Sequence, residues 1–275
     1  MDQQTEKKSF GLSRIRVLLK GGGEMATGVA WRLKQCGFRV LITEIERPMA
    51  VRRKVSFCEA VYEGHVLVEG VEAVLARDAQ EAHAVMEAGK IPLLVDPRCQ
   101  VLKDMSPDVL VDAIIAKRNT GTSILDAPLV IALGPGFEAG KDAHYVVETN
   151  RGHNLGRLLT SGCAEPNTGI PGAIQGITTD RVLRSPAGGP FANNFEIGDV
   201  VKAGDVIGTV AGVAVIGKID GVLRGLIRPG IQVTKGLKIG DIDPRGVKDY
   251  CFTISEKARA IGGAVLEGIL RKYGN

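Results

Sequence analysis

The 275 residues can build one large domain or two modest ones. A net charge of +4, from 35 Lys and Arg against 31 Asp and Glu, suits a small anionic ligand and falls short of a nucleic-acid-binding profile. No apolar run approaches the ~18 residues of a membrane span, and five scattered cysteines without a CxxC pair argue against a disulfide framework or structural zinc, in keeping with a reducing cytoplasm. The 36 glycines are roughly twice the average share, and aromatics are only 4%, so turns and backbone-lined surfaces abound.

Residues 1–13 are polar, lack the apolar core of a signal peptide and read as a flexible tail. Arg16 to Lys20 reads as a buried strand. The run Gly21-Gly22-Gly23-Glu24-Met25-Ala26-Thr27-Gly28 follows, and a helix is expected over Val29 to Cys36, stopped by Gly37. A glycine-rich turn from strand to helix lets backbone approach a phosphate at a helix N-terminus. Gly21, Gly23, Thr27 and Gly28 are the candidates for that cradle, with Glu24 beside them. Phe38 to Thr43 is the next strand, and Glu44 ends it about 20 residues on, where an acidic residue holds a ribose hydroxyl in dinucleotide sites. The basic stretch Arg47, Arg52, Arg53, Lys54 is either a solvated face or a phosphate clamp. Val55 to Tyr62 and His65 to Val68 look strand-like. Asp78 can cap a helix running to Gly89, and Ile91 to Val95, Asp108 to Ala116 and Leu129 to Leu133 read as further strands.

Short apolar strands alternating with helices predict an α/β fold: a Rossmann-like parallel sheet with helices on both faces, over residues 14–155. Asp96, Lys117-Arg118-Asn119 and Gly134-Pro135-Gly136 collect at the strands' C-terminal ends, the edge where ligands of such sheets bind, and Asp112 and Lys117 stand at either end of a strand core as further cleft candidates. A Gly/Pro-rich connection spans 156–190. Over 191–245 a repeat emerges: Gly198, Val201, Gly204, Ile207 and Gly208 recur at Gly230, Val233, Gly236, Ile239 and Gly240. Two such hairpins resemble the biotinyl/lipoyl barrel-sandwich, without its lysine-bearing hairpin tip, so a small β sandwich lacking a covalent cofactor is expected. Residues 246–275 close the chain. Ser255 is the expected N-cap of a terminal helix with an apolar face of Ala258, Ile261, Val265 and Ile269.

Among reactive residues, His153 could act as acid or base, with Glu148 orienting it, and Cys163 sits on a glycine-rich loop where a thiol is accessible. A hydrogen-bonded structural histidine and an unreactive thiol are the plainer readings. Arg151 offers a bidentate donor to an anion. No clustered His/Cys set is visible, and no metal site is expected.

The segments Gly22 to Ala30, Arg52 to Tyr62, Asp112 to Lys117, Gly134 to Phe137, Glu148 to His153, Asn167 to Gly172, Asp241 to Arg245 and Lys257 to Gly263 occur in one order. Together they resemble the YqeB type of accessory proteins of selenium-dependent molybdenum hydroxylase systems, related to the XdhC group, from about residue 14 onward. That family's Asp-Leu-Ala-Thr-Gly stands here as Glu24-Met25-Ala26-Thr27-Gly28, which moves the carboxylate out by one methylene. The resemblance implies a cytoplasmic maturation factor acting on or carrying a molybdopterin-type cofactor, while the glycine loop and Glu44 keep a dinucleotide such as NAD as the other candidate ligand. Its partners would be the small anionic cofactor and a client molybdenum hydroxylase, not nucleic acid or membrane, and a homo-oligomer is allowed. Two rival readings are an NAD-dependent oxidoreductase, favoured by the glycine loop and Glu44, and a cofactor-carrying chaperone without chemistry of its own.

Overall fold

A computed structural model describes residues 11–274. The first ten residues of the expected tail lie outside the described residues, and Leu12–Arg14 form a 3-10 turn.

The first body runs β1 (Arg16–Lys20), α1 (Glu24–Gln35), β2 (Arg39–Glu44), α2 (Ala60–Glu63), β3 (His65–Val68), β4 (Val71–Ala76), α3 (Ala79–Glu87), β5 (Ile91–Val95), α4 (Val101–Met105), β6 (Val109–Asp112), β7 (Leu129–Leu133), β8 (Glu138–Ala139), β9 (Tyr145–Val147), β10 (Leu158–Leu159) and β11 (Gly162–Cys163). Nine of these strands make one sheet, in the order β10-β9-β7-β6-β1-β2-β5-β4-β3. Strand β1 is apolar on both faces. Val17 and Leu19 enter one core and Leu18 the other, as a strand covered on two sides requires.

The expectation of a parallel Rossmann-like sheet is corrected. The sheet is mixed, because β3 pairs antiparallel with β4 and β10 antiparallel with β9 at its two edges. Glu69 and Gly70 explain the first edge. Both have positive φ, 44° and 80°, and a two-residue turn of that kind closes a hairpin, whereas a parallel crossover needs a dozen residues or more. The alternation of strand and helix also stops at β6. No helix lies between β6 and β7 or between β7 and β9. Their face is covered instead by α5 (Glu256–Tyr273), which returns from the end of the chain.

Val55 to Tyr62 is not a strand. Arg53–Val55 and Phe57–Glu59 are 3-10 turns leading into α2. Their backbone is committed elsewhere: the Phe57 N–H donates to Thr27 Oγ1 at 2.8 Å and the Cys58 N–H to the Gly22 carbonyl at 2.8 Å.

The second body holds β12 (Val182–Arg184), β13 (Gly189–Asn193), β14 (Val200–Val201), β15 (Val206–Val210), β16 (Val213–Ile216), β17 (Gly221–Leu226), β18 (Gln232–Val233) and β19 (Lys238–Asp243). They form two four-stranded antiparallel sheets, β12-β19-β17-β14 and β16-β15-β13-β18, around Leu183, Phe191, Ile207, Leu223 and Ile239. The sequence repeat, Gly198 to Gly230, maps β12–β15 onto β16–β19. Exchanging the two sets turns one sheet order into the other, so each sheet takes two strands from each copy. This internal two-fold is what the repeated glycines serve. Gly198, Gly204, Gly230 and Gly236 all have positive φ.

The expectation of a Rossmann-like domain followed by a small biotinyl/lipoyl-type sandwich is corrected here too: the antiparallel pair of sheets is tied into the mixed sheet's body. Arg53 Nε donates to the Leu226 carbonyl at 2.8 Å, Arg228 reaches Glu59 at 2.7 Å, and the backbone of Gly225 abuts Val51. The protein is a mixed α/β sheet and an antiparallel β pair joined along one side.

Helix α5 is capped as expected. Ser255 Oγ accepts the Ala258 N–H at 3.3 Å and itself donates to Glu24 Oε1 at 2.7 Å. Ser255→Ala removes both bonds and should cost about 1–2 kcal/mol. Thermal denaturation monitored by circular dichroism checks this, and an unchanged melting temperature would show the cap to be idle.

Candidate functional site

Where the two bodies meet, a cleft of about 400 Å³ opens. One wall is the strand-end edge of the mixed sheet: Glu24 and Met25 at the start of α1, then Lys117, Pro135, Thr149, Asn150 and Arg151. The opposite wall is the β module, with Arg181, Arg184, Arg224, Lys238 and Asp241. Ser255 and Lys257 at the start of α5 complete one side, and residues 165–172 run along the other. Eight Arg and Lys line this cavity against three carboxylates, Glu24, Glu165 and Asp241.

Several of these charges are buried and shared. Asp241 is 1% exposed and serves three cations: Arg181 through Oδ1, Arg224 through Oδ2 at 3.1 Å, and Lys238 at 3.8 Å. Arg224 also meets Asp243 at 3.1 Å. Arg52 lies at the base of the cleft. It donates to Glu24 Oε1 at 2.9 Å and to the carbonyls of Tyr250 and Thr253. The Nε atoms of Arg52 and Arg224 are buried without a hydrogen-bond partner. Such orphaned donors are costly to bury, although the charges themselves are paired, Arg52 with Glu24 and Arg224 with Asp241 and Asp243. Burial, with the nearby Arg151 charge, holds Lys257 below the ordinary lysine pKa. Burial does the same to Lys238, against the attraction of Asp241.

The residues expected from the sequence divide between two places. Glu24, Arg52, Lys117 and Arg151 line the cleft. Gly21, Gly23 and Glu44 line a separate cavity of about 250 Å³ together with Lys20, Cys58, Asp96 and Cys99. There Glu44 accepts the Gly22 N–H at 2.9 Å and the Ile45 N–H at 2.7 Å, so the structure shows it tying the glycine loop to β2. Burial pushes its carboxyl up, against those two hydrogen bonds. Lys20 in turn donates to Thr122 at 2.6 Å.

Other expected residues are engaged in the frame. Thr27 is fully buried, bonded to Phe57 and Gly22. Gly28 packs on Ala258 of α5. Asp112 is 1% exposed and accepts the Thr122 hydroxyl at 2.6 Å. Asn119 closes its own loop through Gly121 and Thr122. Gly134 and Gly136 have positive φ where Thr149 and the Arg118 backbone press close. Arg53 binds Leu226 and Glu196 rather than the cleft. His153 and Cys163 are exposed and line neither cavity. Glu148 is occupied by the N–H groups of Asn150 and Glu165. Among the described residues no group of three or more His, Cys, Asp and Glu is placed to hold a metal ion, and no helix is long and apolar enough to cross a membrane.

Sequence reasoning missed Arg181, Arg184, Arg224, Lys238, Asp241 and Lys257. The usable signal was a charged residue inside an apolar strand: Arg224 sits in Val222-Leu223-Arg224-Gly225-Leu226 and is 6% exposed.

No protein-family model matches the chain. Among solved structures, a succinylglutamate desuccinylase/aspartoacylase from Rhodobacter sphaeroides aligns with 14% identity and a TM-score of 0.26, covering 83% of this chain and 84% of that one. An aspartoacylase family protein from Mesorhizobium loti aligns with 13% identity and a TM-score of 0.28, with the same coverage. The implied relation to XdhC-type proteins is corrected on the sheet itself: the mixed sheet, antiparallel at both edges, is not the parallel Rossmann sheet on which that relation rested. The Escherichia coli K12 protein YqeB, described as uncharacterized, is 50% identical over 254 residues, which is 92% of this chain and 47% of YqeB. This chain is thus a homologue of YqeB, spanning about half of that protein's length.

Proposed function

We propose that this chain binds a phosphate-bearing organic anion of the molybdopterin type in the basic cleft, and carries it during maturation of a selenium-dependent molybdenum hydroxylase. The observation behind this reading is the cleft's charge: eight Arg and Lys against three carboxylates, with Arg52 and Arg224 buried and incompletely partnered. Charge-assisted donors of this kind suit phosphate. Thr149, Asn150 and Asn167 add hydroxyl and amide groups that suit a polar heterocycle. The cleft lining contains neither His nor Cys, which favours a carrier over a catalyst that relies on those side chains. The glycine-loop cavity fits a pyrophosphate less well, since Glu44 and Asp96 face it and Lys20 is already engaged.

The test is mass spectrometry of small molecules released by denaturing protein purified from cells that make molybdenum cofactor. A pterin in roughly stoichiometric amount is the expected result. Recovery of NAD, or of nothing, in repeated preparations would overturn the reading.

A further inference from the structure

The cleft's charge excess is not evenly spread. Lys257 is the second residue of α5, where the helix dipole disfavours a cation. Arg151 and Lys238 add repulsion, and no carboxylate lies within ion-pair distance of Lys257 among the described residues. The acids that face it, Glu24 and Glu148, are committed elsewhere. Glu24 takes Arg52 and Ser255, and Glu148 takes two backbone N–H groups. Lys238 has only Asp241 Oδ1 at 3.8 Å, the oxygen that Arg181 already holds, while Arg224 takes Oδ2. Two long cations thus converge from different bodies, one from α5 and one from β19, with little to neutralise them. Behind them Arg224 is buried with its Nε unpartnered.

We infer that Lys238 and Lys257 form the phosphate subsite of the cleft, so that a phosphate dianion bridges the β module and α5 and the glycine loop does not hold it. This rests on the reading of the cleft as a cofactor site and locates the anionic end of the ligand within it. A dianion there neutralises the lysine pair, strengthens the join between the two bodies and shields Lys257 from Arg151. The subsite depends on the juxtaposition of the two bodies, which Arg53, Arg228 and the close approach of Gly225 to Val51 hold in place.

The stability signature is opposite to that of an ordinary ion pair. Both lysines have folded pKa values lowered from the usual one. The unfolded chain therefore holds more protons in the window between the lowered values and the ordinary lysine value, and stability without anion rises with pH across that window. Neutralising either lysine should not weaken the empty protein, but it should remove the response to anion.

The experiment uses the full chain and inorganic pyrophosphate, with inorganic phosphate in parallel and sodium chloride at matched ionic strength. At about a hundred times its dissociation constant, pyrophosphate should raise the wild-type melting temperature by roughly 5 °C, and chloride should not. Lys257→Gln and Lys238→Gln should melt at or above the wild-type temperature without anion and lose most of the shift. Lys257→Arg should keep it. Lys202→Gln, at an exposed lysine paired with Asp220, should also keep it and controls for net charge. A wild-type protein indifferent to pyrophosphate overturns the subsite, and so does a full shift in both Gln variants. Either result leaves the cofactor reading standing if a pterin is recovered. A lysine-dependent shift with no pterin recovered sinks that reading and keeps the subsite.

Discussion

Asp241→Asn should lower the melting temperature by on the order of 10 °C. The carboxylate is buried and is the common partner of Arg181, Arg224 and Lys238. Removing one member of a buried ionic group costs about 3–5 kcal/mol, mostly from the uncompensated charge left behind. In a chain of this size each kcal/mol shifts melting by about 2–4 °C. Asparagine keeps the shape and one acceptor oxygen, so the loss reports charge rather than packing. Asp243 still holds Arg224 and Arg245, and Arg181 still donates twice to the Gly172 carbonyl, so unfolding need not be complete at room temperature. Asp220→Asn supplies the control. Its pair with Lys202 is exposed on both sides, and such pairs contribute little. Calorimetry of the two variants side by side decides the matter, and equal melting temperatures would show that the cleft tolerates its charge without Asp241. Pyrophosphate should restore part of the Asp241→Asn deficit, since the orphaned cations then have a substitute counterion.

The sequence carried some of this architecture and not the rest, for physical reasons. Strands β1, β5 and β7 stand where apolar runs placed them, because a strand buried on both faces announces itself by composition. Helices α3 and α5 begin at Asp78 and Ser255, whose side chains accept the N–H three residues on. The repeat was legible because it is written in glycines with positive φ. The sheet's edges were not, since Val66 and Leu67 read alike in parallel and antiparallel pairing until the two-residue turn after Val68 is counted. Val55 to Tyr62 misled because Val, Phe and Tyr favour strands, while the tertiary bonds to Thr27 and Gly22 decided otherwise. The cleft was half visible. Arg52, Lys117 and Arg151 belong to the body that drew attention to a ligand. Arg181, Arg224, Lys238 and Lys257 belong to segments that become a wall only when β17, β19 and α5 close against that body.

That closure depends on α1 and α5, and here the largest packing effect is expected. Gly28→Val should destabilise the protein by at least about 3 kcal/mol. A Cβ at position 28 would lie 2.7 Å from both the Ala258 Cβ and the Ala258 carbonyl oxygen, and a Cβ at Gly262 would lie 2.7 Å from the Gly28 carbonyl. The two helices touch backbone to backbone, so no side chain can rotate away to make room. Helix α5 must move, and it carries Ser255, which bonds Glu24, and Lys257. The variant should therefore melt about 6–12 °C lower and lose pyrophosphate-dependent stabilisation even though no cleft residue has changed. Gly263 provides the opposite case in the same helix. Nothing lies within 4 Å of its Cβ position, so Gly263→Ala should gain up to about 1 kcal/mol from helix propensity alone. Opposite shifts from two small-residue substitutions in the α1–α5 pair would identify close approach as the reason for glycine at 28. A Gly28→Val protein that melts with the wild type and still answers pyrophosphate would mean that α5 seats independently of α1, and that the cleft is assembled from the β module side.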